Sequence, residues 1–332
     1  MKRTLSLIVL LCITASLVAG ERETIWPKGK MPHRQDHQIA AMTDETSKQD
    51  FDADKNRIAY IEWFDAPAEE NRTGGCMILI SGGSYECCCD VGLIKSWNER
   101  FTELGFQCVN FVYRTPRPAG LPIYQTSWED GQRAVRMVRS QAEERGFDPE
   151  KIGVVSMSAG SHLALLLATS SQTAAYEPID KLDDVPCHIN WAVVNAPAYV
   201  TTDGENGSPA TREGYGIDVK LSDVFKFDEK TCPMTLQHGG LDPYTPNGST
   251  LIYRRLREMK IPAELHLYAD RRHGFFGKAD RGEYATGYDN WFGRAAEFIR
   301  QMNFDGRRGQ PVELMSRFSS DSDRASCTKE DV

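Results

Sequence analysis

Short apolar stretches alternate with longer amphipathic stretches along most of the chain. The short ones have the length and composition of buried β-strands, and they cover residues 58–64, 76–80, 108–113, 152–155, 191–195, 234–237 and 263–267. Between them, apolar residues recur every three or four positions, which predicts helices. The first helix ends at Gly105 and carries on one face Ile94, Trp97, Phe101 and Leu104. Further helices are predicted within residues 127–146, 161–170, 249–259 and 291–302.

Strands that are apolar on both faces and alternate with helices predict a mostly parallel sheet with helices on both faces. We therefore expect one α/β domain over residues 56–303. The polar segment 21–55 is expected to lie extended on this domain, and the polar tail 304–332 to be loose. Residues 199–230 are rich in Gly, Asp and Thr and have little periodicity. They predict a long excursion above the sheet that shapes a substrate entrance.

The first 20 residues have the layout of a cleaved secretory signal peptide. Lys2 and Arg3 precede an apolar run over residues 5–18, and the small residues Ala19 and Gly20 stand at the expected cleavage point. The run is shorter than the roughly 20 residues of a membrane-spanning helix. We expect a secreted or periplasmic protein without stable membrane insertion.

Export would place the cysteines in an oxidising compartment, where some of them are expected to pair. Cys187 and Cys232 each stand just before a predicted strand, and successive strands of such a sheet are usually neighbours. We therefore predict a disulfide between them; the alternative is two separately buried thiols. Three consecutive cysteines, Cys87, Cys88 and Cys89, cannot comfortably reach one tetrahedral ion, so no metal site is predicted.

The composition narrows the class of protein further. With 332 residues, of which 40% are hydrophobic and 26% charged, the chain can bury a full globular core, which excludes a disordered protein or a small disulfide scaffold. The formal charge of -8, with no basic patch, argues against a nucleic-acid partner.

The segment with the clearest chemistry is IGVVSMSAGSHLAL, residues 152–165. It predicts a buried strand that runs directly into a helix through a tight turn with Ser158 at the apex. Such a turn strains the serine backbone, and small residues two positions away, Ser156 and Gly160, let strand and helix approach each other. The hydroxyl is pushed out above the sheet edge, where the helix N-terminus favours developing negative charge.

Three other segments carry polar residues directly after predicted strands. Strand 76–80 is followed by the glycine turn Ser81-Gly82-Gly83-Ser84-Tyr85. Strand 234–237 runs into HGGLDPYTP, which contains Asp242, and strand 263–267 precedes His273-Gly274-Phe275. Because parallel strands end at one edge of the sheet, these polar residues are expected on the same side as Ser158.

Together these segments resemble the α/β-hydrolase family. SMSAG is similar to the family motif G-x-S-x-G, with Ser156 in place of the first glycine; HGGLDPYTP and HGF are similar to its H-G-x-x-D-x-x-x-P and H-G-F segments. The chain order Ser158, Asp242, His273 is also that of the family. The resemblance covers about residues 58–302 and is strongest to small esterases that deacylate plant polysaccharides, such as acetylxylan and feruloyl esterase-like proteins.

The resemblance implies a catalytic triad of Ser158, Asp242 and His273 and an acyl-enzyme mechanism that needs no cofactor. Asp270 is the other acid near His273, but it lies so close in sequence that Asp242 is favoured as the orienting carboxylate. His162 is expected to pack or to support the site rather than to act as the base.

The resemblance also implies where the oxyanion and the substrate bind. Backbone amides of Ala159 and of Gly83 or Ser84 would form the oxyanion hole, and Tyr85 and Phe275 would contact substrate. The substrate would be an acylated carbohydrate or another small ester with a short acyl group.

Two other functions stay open. One is a serine peptidase of the prolyl-oligopeptidase-like group, although these peptidases normally carry a large propeller domain before the catalytic domain and segment 21–55 is too short for one. The other is a noncatalytic binding protein with the hydrolase fold, which only Ser156 in the glycine position favours. Labelling of Ser158 by an organophosphate separates the noncatalytic protein from both enzymes.

Overall fold

The computed structural model describes residues 22–34, 59–88, 91–202, 219–274 and 288–308. The strands are β1 Arg22–Thr24, β2 Tyr60–Trp63, β3 Cys76–Ile80, β4 Gln107–Val112, β5 Ile152–Met157, β6 Trp191–Asn195, β7 Met234–Gly239 and β8 Ala263–Tyr268. The α-helices are α1 Val91–Glu103, α2 Gln125–Ser140, α3 Ala142–Arg145, α4 Ala159–Thr169, α5 Asn247–Glu258 and α6 Tyr288–Gln301. Short 3-10 helices cover Glu69–Asn71 and Lys181–Asp184.

In the described part of the chain the strands form one sheet in the order β1-β2-β4-β3-β5-β6-β7-β8. β1, β2 and β4 pair antiparallel, and every neighbour from β4 to β8 pairs parallel. The mostly parallel sheet predicted from the sequence is therefore confirmed.

Alternate residues of the central strands face two separate hydrophobic clusters. On β3, Ile78 and Ile80 contact one cluster, while Met77 and Leu79 contact the other. Helix α1 contributes Trp97 and Phe101 to the second cluster. Helices α2, α4 and α5 contribute to the first cluster with Val135, Val138, Leu163, Leu166, Ile252 and Leu256. Both faces of the sheet are thus covered by helices.

The strand order reverses at β3. β4 lies on one side of β3 in the sheet, and β5 lies on the other side. The helix that follows β3, α1, and the helix that follows β5, α4, therefore pack on opposite faces of the sheet. In open parallel sheets, a crevice forms at the carboxyl ends of such strands. The loop that begins at Ser81 and the turn at Ser158 both lie at this crevice.

The N-terminal segment, expected only as an extended stretch, adds the edge strand β1. Trp26 follows β1, is buried, and donates from Nε1 to Asp130 at 2.6 Å. The same carboxylate accepts hydrogen bonds from the backbone N and the Nε of Arg114, both at 2.8 Å. A buried ion pair thereby ties the segment to the loop after β4 and to α2.

Two details differ from the sequence-based expectations. The predicted disulfide is wrong: Cys187 and Cys232 are buried free thiols, and the Sγ of Cys187 donates to the carbonyl of Ser171. Burial raises the pKa of both thiols. The helix predicted over 127–146 is divided into α2 and α3, and Gly146 ends α3 in the left-handed conformation at φ 74°.

The signal-peptide prediction falls on residues 1–20 and the loose-tail prediction largely on 309–332, which lie outside the described residues. Among the residues that are described, no helix is long and apolar enough to cross a membrane.

Candidate active site

Ser158 occupies a sharp turn between β5 and α4. Its backbone has φ 57° and ψ -125°, a strained combination for a residue with a Cβ. The turn is held on both sides of the serine: its N–H donates to the carbonyl of Asn195 at 3.1 Å, and its carbonyl accepts from the amides of Ser161 and His162. Ser158 is therefore fixed at the carboxyl end of β5, and its side chain points into the site.

The residues two positions from Ser158 meet different spatial demands. A Cβ on Gly160 would lie 2.3 Å from the carbonyl oxygen of Ser81, so only glycine lets α4 approach the end of β3. Ser156 has room for its side chain, and its hydroxyl bonds the Ser161 Oγ at 3.0 Å and the carbonyl of Val193 at 3.2 Å. The serine in place of the first motif glycine thus links β5 to α4 and β6.

The structure brings the three predicted triad residues into one hydrogen-bonded chain. The His273 Nε2 lies 2.8 Å from the Ser158 Oγ, and the His273 Nδ1 lies 2.7 Å from the Asp242 Oδ2. Asp270 is placed elsewhere: its side chain is 75% exposed and lies 3.4 Å from the guanidinium of Arg271. Of the two acids considered, only Asp242 contacts the imidazole.

The carboxylate of Asp242 is fully buried and closely surrounded. Its Oδ1 accepts from the amide of Tyr244 at 2.8 Å, and the His238 Nε2 lies 3.2 Å from Oδ2. Burial alone would raise the pKa of Asp242, but His238 and His273 outweigh it and the pKa is lowered. Asp242 is thus a carboxylate at neutral pH. The contact with His238 was not predicted; the only sequence signal was its place four residues earlier.

The glycine turn after β3 lies directly against the turn of Ser158. A Cβ on Gly82 would be 2.8 Å from the Ser158 Cβ. Gly83 follows with φ 129°, and both Gly83 and Ser84 are partly exposed. Ala159 is the first residue of α4, so its N–H has no acceptor within the helix. The predicted oxyanion-hole residues thus adjoin the turn of Ser158 along the chain: Gly83 and Ser84 directly follow Gly82, and Ala159 directly follows Ser158.

The two predicted substrate contacts have different outcomes. Tyr85 is completely buried, and its hydroxyl lies 2.8 Å from the His162 Nδ1. Its side chain therefore packs inside the protein beneath the glycine turn and is not accessible to substrate. This corrects the expectation for Tyr85, because sequence proximity to the turn did not reveal the side-chain direction. Phe275 lies outside the described residues.

Aromatic side chains that the sequence analysis did not single out lie next to the triad. The Tyr244 ring lies 4.8 Å from the His273 ring, and the Tyr199 ring lies 5.4 Å from that of Tyr244. His162 is enclosed by aromatic rings, and burial lowers its pKa to about 3. A histidine in this state stays neutral, in agreement with a packing role.

The geometry suits nucleophilic attack on a carbonyl. Ser158 has a base within hydrogen-bond distance, the base contacts a buried carboxylate, and the amide of Ala159 at the helix N-terminus directly follows the serine. Among the described residues, no group of three or more His, Cys, Asp or Glu side chains is placed to hold a metal ion.

In the comparison with known proteins, two family profiles match different parts of the chain. Residues 64–193 match the family described as BD-FAE, and residues 198–303 match the dienelactone hydrolase family. The chain is 26% identical over 230 residues to endo-1,4-beta-xylanase B of Butyrivibrio fibrisolvens, covering 63% of this chain and 35% of that protein. It is 21% identical over 239 residues to an acetylxylan esterase of Xylanibacter ruminicola, covering 67% and 43%. The chain thus spans less than half the length of these curated relatives.

Solved structures resemble the chain over most of its length. An acetyl ester-xyloside bifunctional hydrolase from Caldicellulosiruptor lactoaceticus superimposes with a TM-score of 0.62 at 20% identity, covering 86% of this chain and 97% of that one. Esterase 2 of Thermogutta terrifontis superimposes with a TM-score of 0.64 at 19% identity, covering 88% and 96%. At this identity the likeness establishes a shared fold.

Proposed function

This chain has the α/β-hydrolase fold, and we propose that it is a serine carboxylesterase that removes short acyl groups from acylated carbohydrate. The observation that carries the proposal is the hydrogen-bonded chain from Ser158 through His273 to buried Asp242. The similarity to esterases supports ester hydrolysis as the reaction. Relatives named as acetylxylan esterase and as xylanase support a polysaccharide as the alcohol component.

The proposed reaction begins with proton transfer from the Ser158 Oγ to the His273 Nε2 as the oxygen attacks the ester carbonyl. Amides of Ala159 and of Gly83 or Ser84 stabilise the oxyanion of the tetrahedral intermediate. Protonated His273 then gives its proton to the leaving alcohol, and the acyl group stays on Ser158. Water attacks the acyl-enzyme by the same route, with the same residue as the base.

Asp242 supports both steps without changing its own protonation state. Its hydrogen bond to the His273 Nδ1 fixes the imidazole so that Nε2 faces Ser158. Its lowered pKa keeps it negative, which stabilises the imidazolium that forms during attack.

The central test is the replacement of Ser158 by alanine. Ser158→Ala is expected to lower the hydrolysis of 4-nitrophenyl acetate by about 10⁶-fold, since removal of a triad nucleophile has effects of that order. Ser140→Ala is a matched control, because it removes an exposed hydroxyl on α2 that donates to the carbonyl of Met137. Mass spectrometry after treatment with paraoxon should locate the phosphoryl group on Ser158. More than a few per cent of residual activity, or no label on Ser158, would refute the serine mechanism.

A preference for short acyl groups is the second prediction. Residues 199–230 are rich in Gly, Asp, Thr and Lys and contain no long apolar run that could form a lid, whereas a long acyl chain needs apolar contact at about 25 cal/mol per Å² to bind well. The ring of Tyr244 also occupies space next to His273, and the ring of Tyr199 packs against that of Tyr244. We expect kcat/KM for acetate to exceed that for octanoate in a series of 4-nitrophenyl esters. A faster rate on octanoate than on acetate would contradict this preference. The alcohol component is tested separately, by measuring the release of acetate from acetylated xylan.

Export is part of the same proposal and rests on residues 1–20. Expression of the full chain in a secreting host should yield protein outside the cytoplasm whose N-terminus lies close to Glu21. An uncleaved N-terminus that stays in the cytoplasm would contradict export and leave the catalytic proposal intact.

A further inference from the structure

The loop Ser81–Tyr85, called here the oxyanion loop, has an unusual backbone. Gly83, Ser84 and Tyr85 have φ values of 129°, 57° and 61°, so three consecutive residues lie at positive φ and two of them carry a side chain. Such a conformation persists only where surrounding contacts impose it. The contacts that do so are therefore part of what places the amides of Gly83 and Ser84 beside Ser158.

One part of the loop is held by backbone contacts within the turn itself. The carbonyl of Gly83 accepts hydrogen bonds from the amides of Glu86 at 2.8 Å and Cys87 at 3.1 Å. In a planar trans peptide the carbonyl and the following N–H point in opposite directions, so these bonds turn the Ser84 N–H away from the turn. No other residue fits at position 83, since a Cβ added to Gly83 would lie 2.0 Å from the Cys87 carbonyl oxygen.

The next peptide plane is held by a side chain from another loop. The Arg117 Nε donates to the carbonyl of Ser84 at 2.9 Å, and its guanidinium also lies 2.9 Å from the carboxylate of Glu86 and 3.3 Å from the hydroxyl of Tyr199. Arg117 belongs to the proline-rich loop after β4. Both peptide planes that flank Ser84 are thus fixed, one by the turn and one by Arg117.

Tyr85 anchors the end of the loop inside the protein. Its hydroxyl lies 2.8 Å from the Nδ1 of His162 on α4, and its ring stacks at 6.3 Å on the ring of Tyr199. Burial raises the pKa of Tyr85 and lowers that of His162, so both groups are uncharged at neutral pH and the bond does not depend on a charge. Because α4 also carries Ala159 at its first position, this bond ties the two sides of the oxyanion hole together.

We propose that Arg117 and the Tyr85–His162 pair are positioning residues that hold the oxyanion loop in its strained, binding-competent conformation. The inference rests on the proposed serine-esterase function. None of the three side chains needs to touch substrate: they act through the amides of Gly83 and Ser84. Their loss should weaken binding of the transition state while leaving binding of the ground-state ester largely unchanged.

The test uses two small changes with matched controls. Arg117→Gln removes the bond to the Ser84 carbonyl, and Tyr85→Phe removes only a hydroxyl. Arg136→Gln is the arginine control, since the Arg136 side chain likewise bonds a backbone carbonyl, that of Val185, and a tyrosine hydroxyl, that of Tyr176. Tyr176→Phe is the matched tyrosine control.

Steady-state kinetics with 4-nitrophenyl acetate should show kcat lowered about 10- to 100-fold in Arg117→Gln and in Tyr85→Phe, with KM changed less than about threefold. Inhibition by phenylboronic acid, which forms a tetrahedral adduct on an activated serine, should weaken by a factor similar to the loss in kcat. Arg117→Lys, which retains a donor, should recover part of kcat. A purely structural role would not couple kcat to boronate affinity.

Two outcomes would overturn the proposal. One is a kcat in both variants within about twofold of the control variants. The other is a loss in kcat with unchanged boronate affinity, which would place the effect outside the oxyanion hole. Failure of paraoxon to label Ser158 in the unmodified protein would instead refute the proposed function, so the two failures are distinguishable.

Discussion

At Asp242, burial and hydrogen bonding act in opposite directions on one carboxyl group. Burial disfavours the charged form, whereas His273, His238 and the amide of Tyr244 all favour it. The lowered pKa shows that the contacts outweigh burial. A buried carboxylate that stays negative is what an orienting residue for an imidazole requires.

Replacement of this carboxylate tests its role directly. Asp242→Asn is expected to lower kcat by up to about 10⁴-fold near pH 7, because an amide does not stabilise the imidazolium and holds the histidine in the wrong tautomer. Substrate affinity should change little. Asp270→Asn is the control, since Asp270 is exposed and lies near Arg271 rather than His273. A severe loss in Asp270→Asn with near-normal turnover in Asp242→Asn would reverse the assignment.

Single residues differ in how far the sequence could predict them. Ser158, Asp242 and His273 each stand in a short motif directly after a strand, so local signals were enough to name them. Arg117 and His162 contact partners 33 and 77 residues away, and no local pattern marks such pairs. Tyr85 was predicted at the substrate because of its neighbours, whereas its side chain turns inward to His162.

At the scale of elements, the separation between α4 and β3 decides whether the site can form. At Gly160, the backbone of α4 leaves no room for a Cβ beside the carbonyls of Ile80 and Ser81. The oxyanion loop leaves β3 at this point. A change in the spacing between helix and strand would therefore move Ser158, the proposed nucleophile, relative to the proposed oxyanion amides.

Gly160→Ala is expected to lower kcat more than about 100-fold, because its Cβ would lie 2.3 Å from a backbone oxygen that cannot move without moving the oxyanion loop. Gly131→Ala on α2 is the matched control. Its Cβ would lie 3.2 to 3.4 Å from the methyl groups of Leu163 and Leu167, which can shift, and alanine is a better helix former by about 1 kcal/mol. Similar kcat values for the two variants would show that the spacing of α4 and β3 is not limiting.

Strands and helices with strong apolar periodicity were predicted to within a few residues. The exceptions are elements whose formation depends on distant parts of the chain. β1 has three residues and exists because β2 offers an edge to pair with. The break between α2 and α3 at Gln141 likewise has no strong local signal, although Gly146 correctly marked the end of the helical stretch.

For the molecule as a whole, buried polar groups join regions that lie far apart in the sequence. Trp26, Arg114 and Asp130 form one such cluster, and Tyr85 and His162 form another beside the site.

The neutral, buried His162 affects the stability of the whole molecule. His162 has a pKa of about 3 when folded, whereas a histidine in the unfolded chain has a pKa of about 6.5. Unfolding below pH 6.5 is therefore accompanied by proton uptake at this residue.

The last prediction concerns the free energy of unfolding as a function of pH. Because the folded pKa of His162 is depressed, its contribution to stability is fully present above about pH 6.5 and is lost progressively as the pH falls towards about 3. Between pH 6.5 and 4.5 this one group should lower the free energy of unfolding by about 2 kcal/mol. His162→Gln removes the titration while keeping a polar side chain opposite the Tyr85 hydroxyl, so its stability should fall less over the same interval, whatever its stability at pH 7. Urea unfolding of both proteins at pH 6.5 and 4.5 measures the difference, and equal losses in the two would show that His162 does not take up a proton on unfolding.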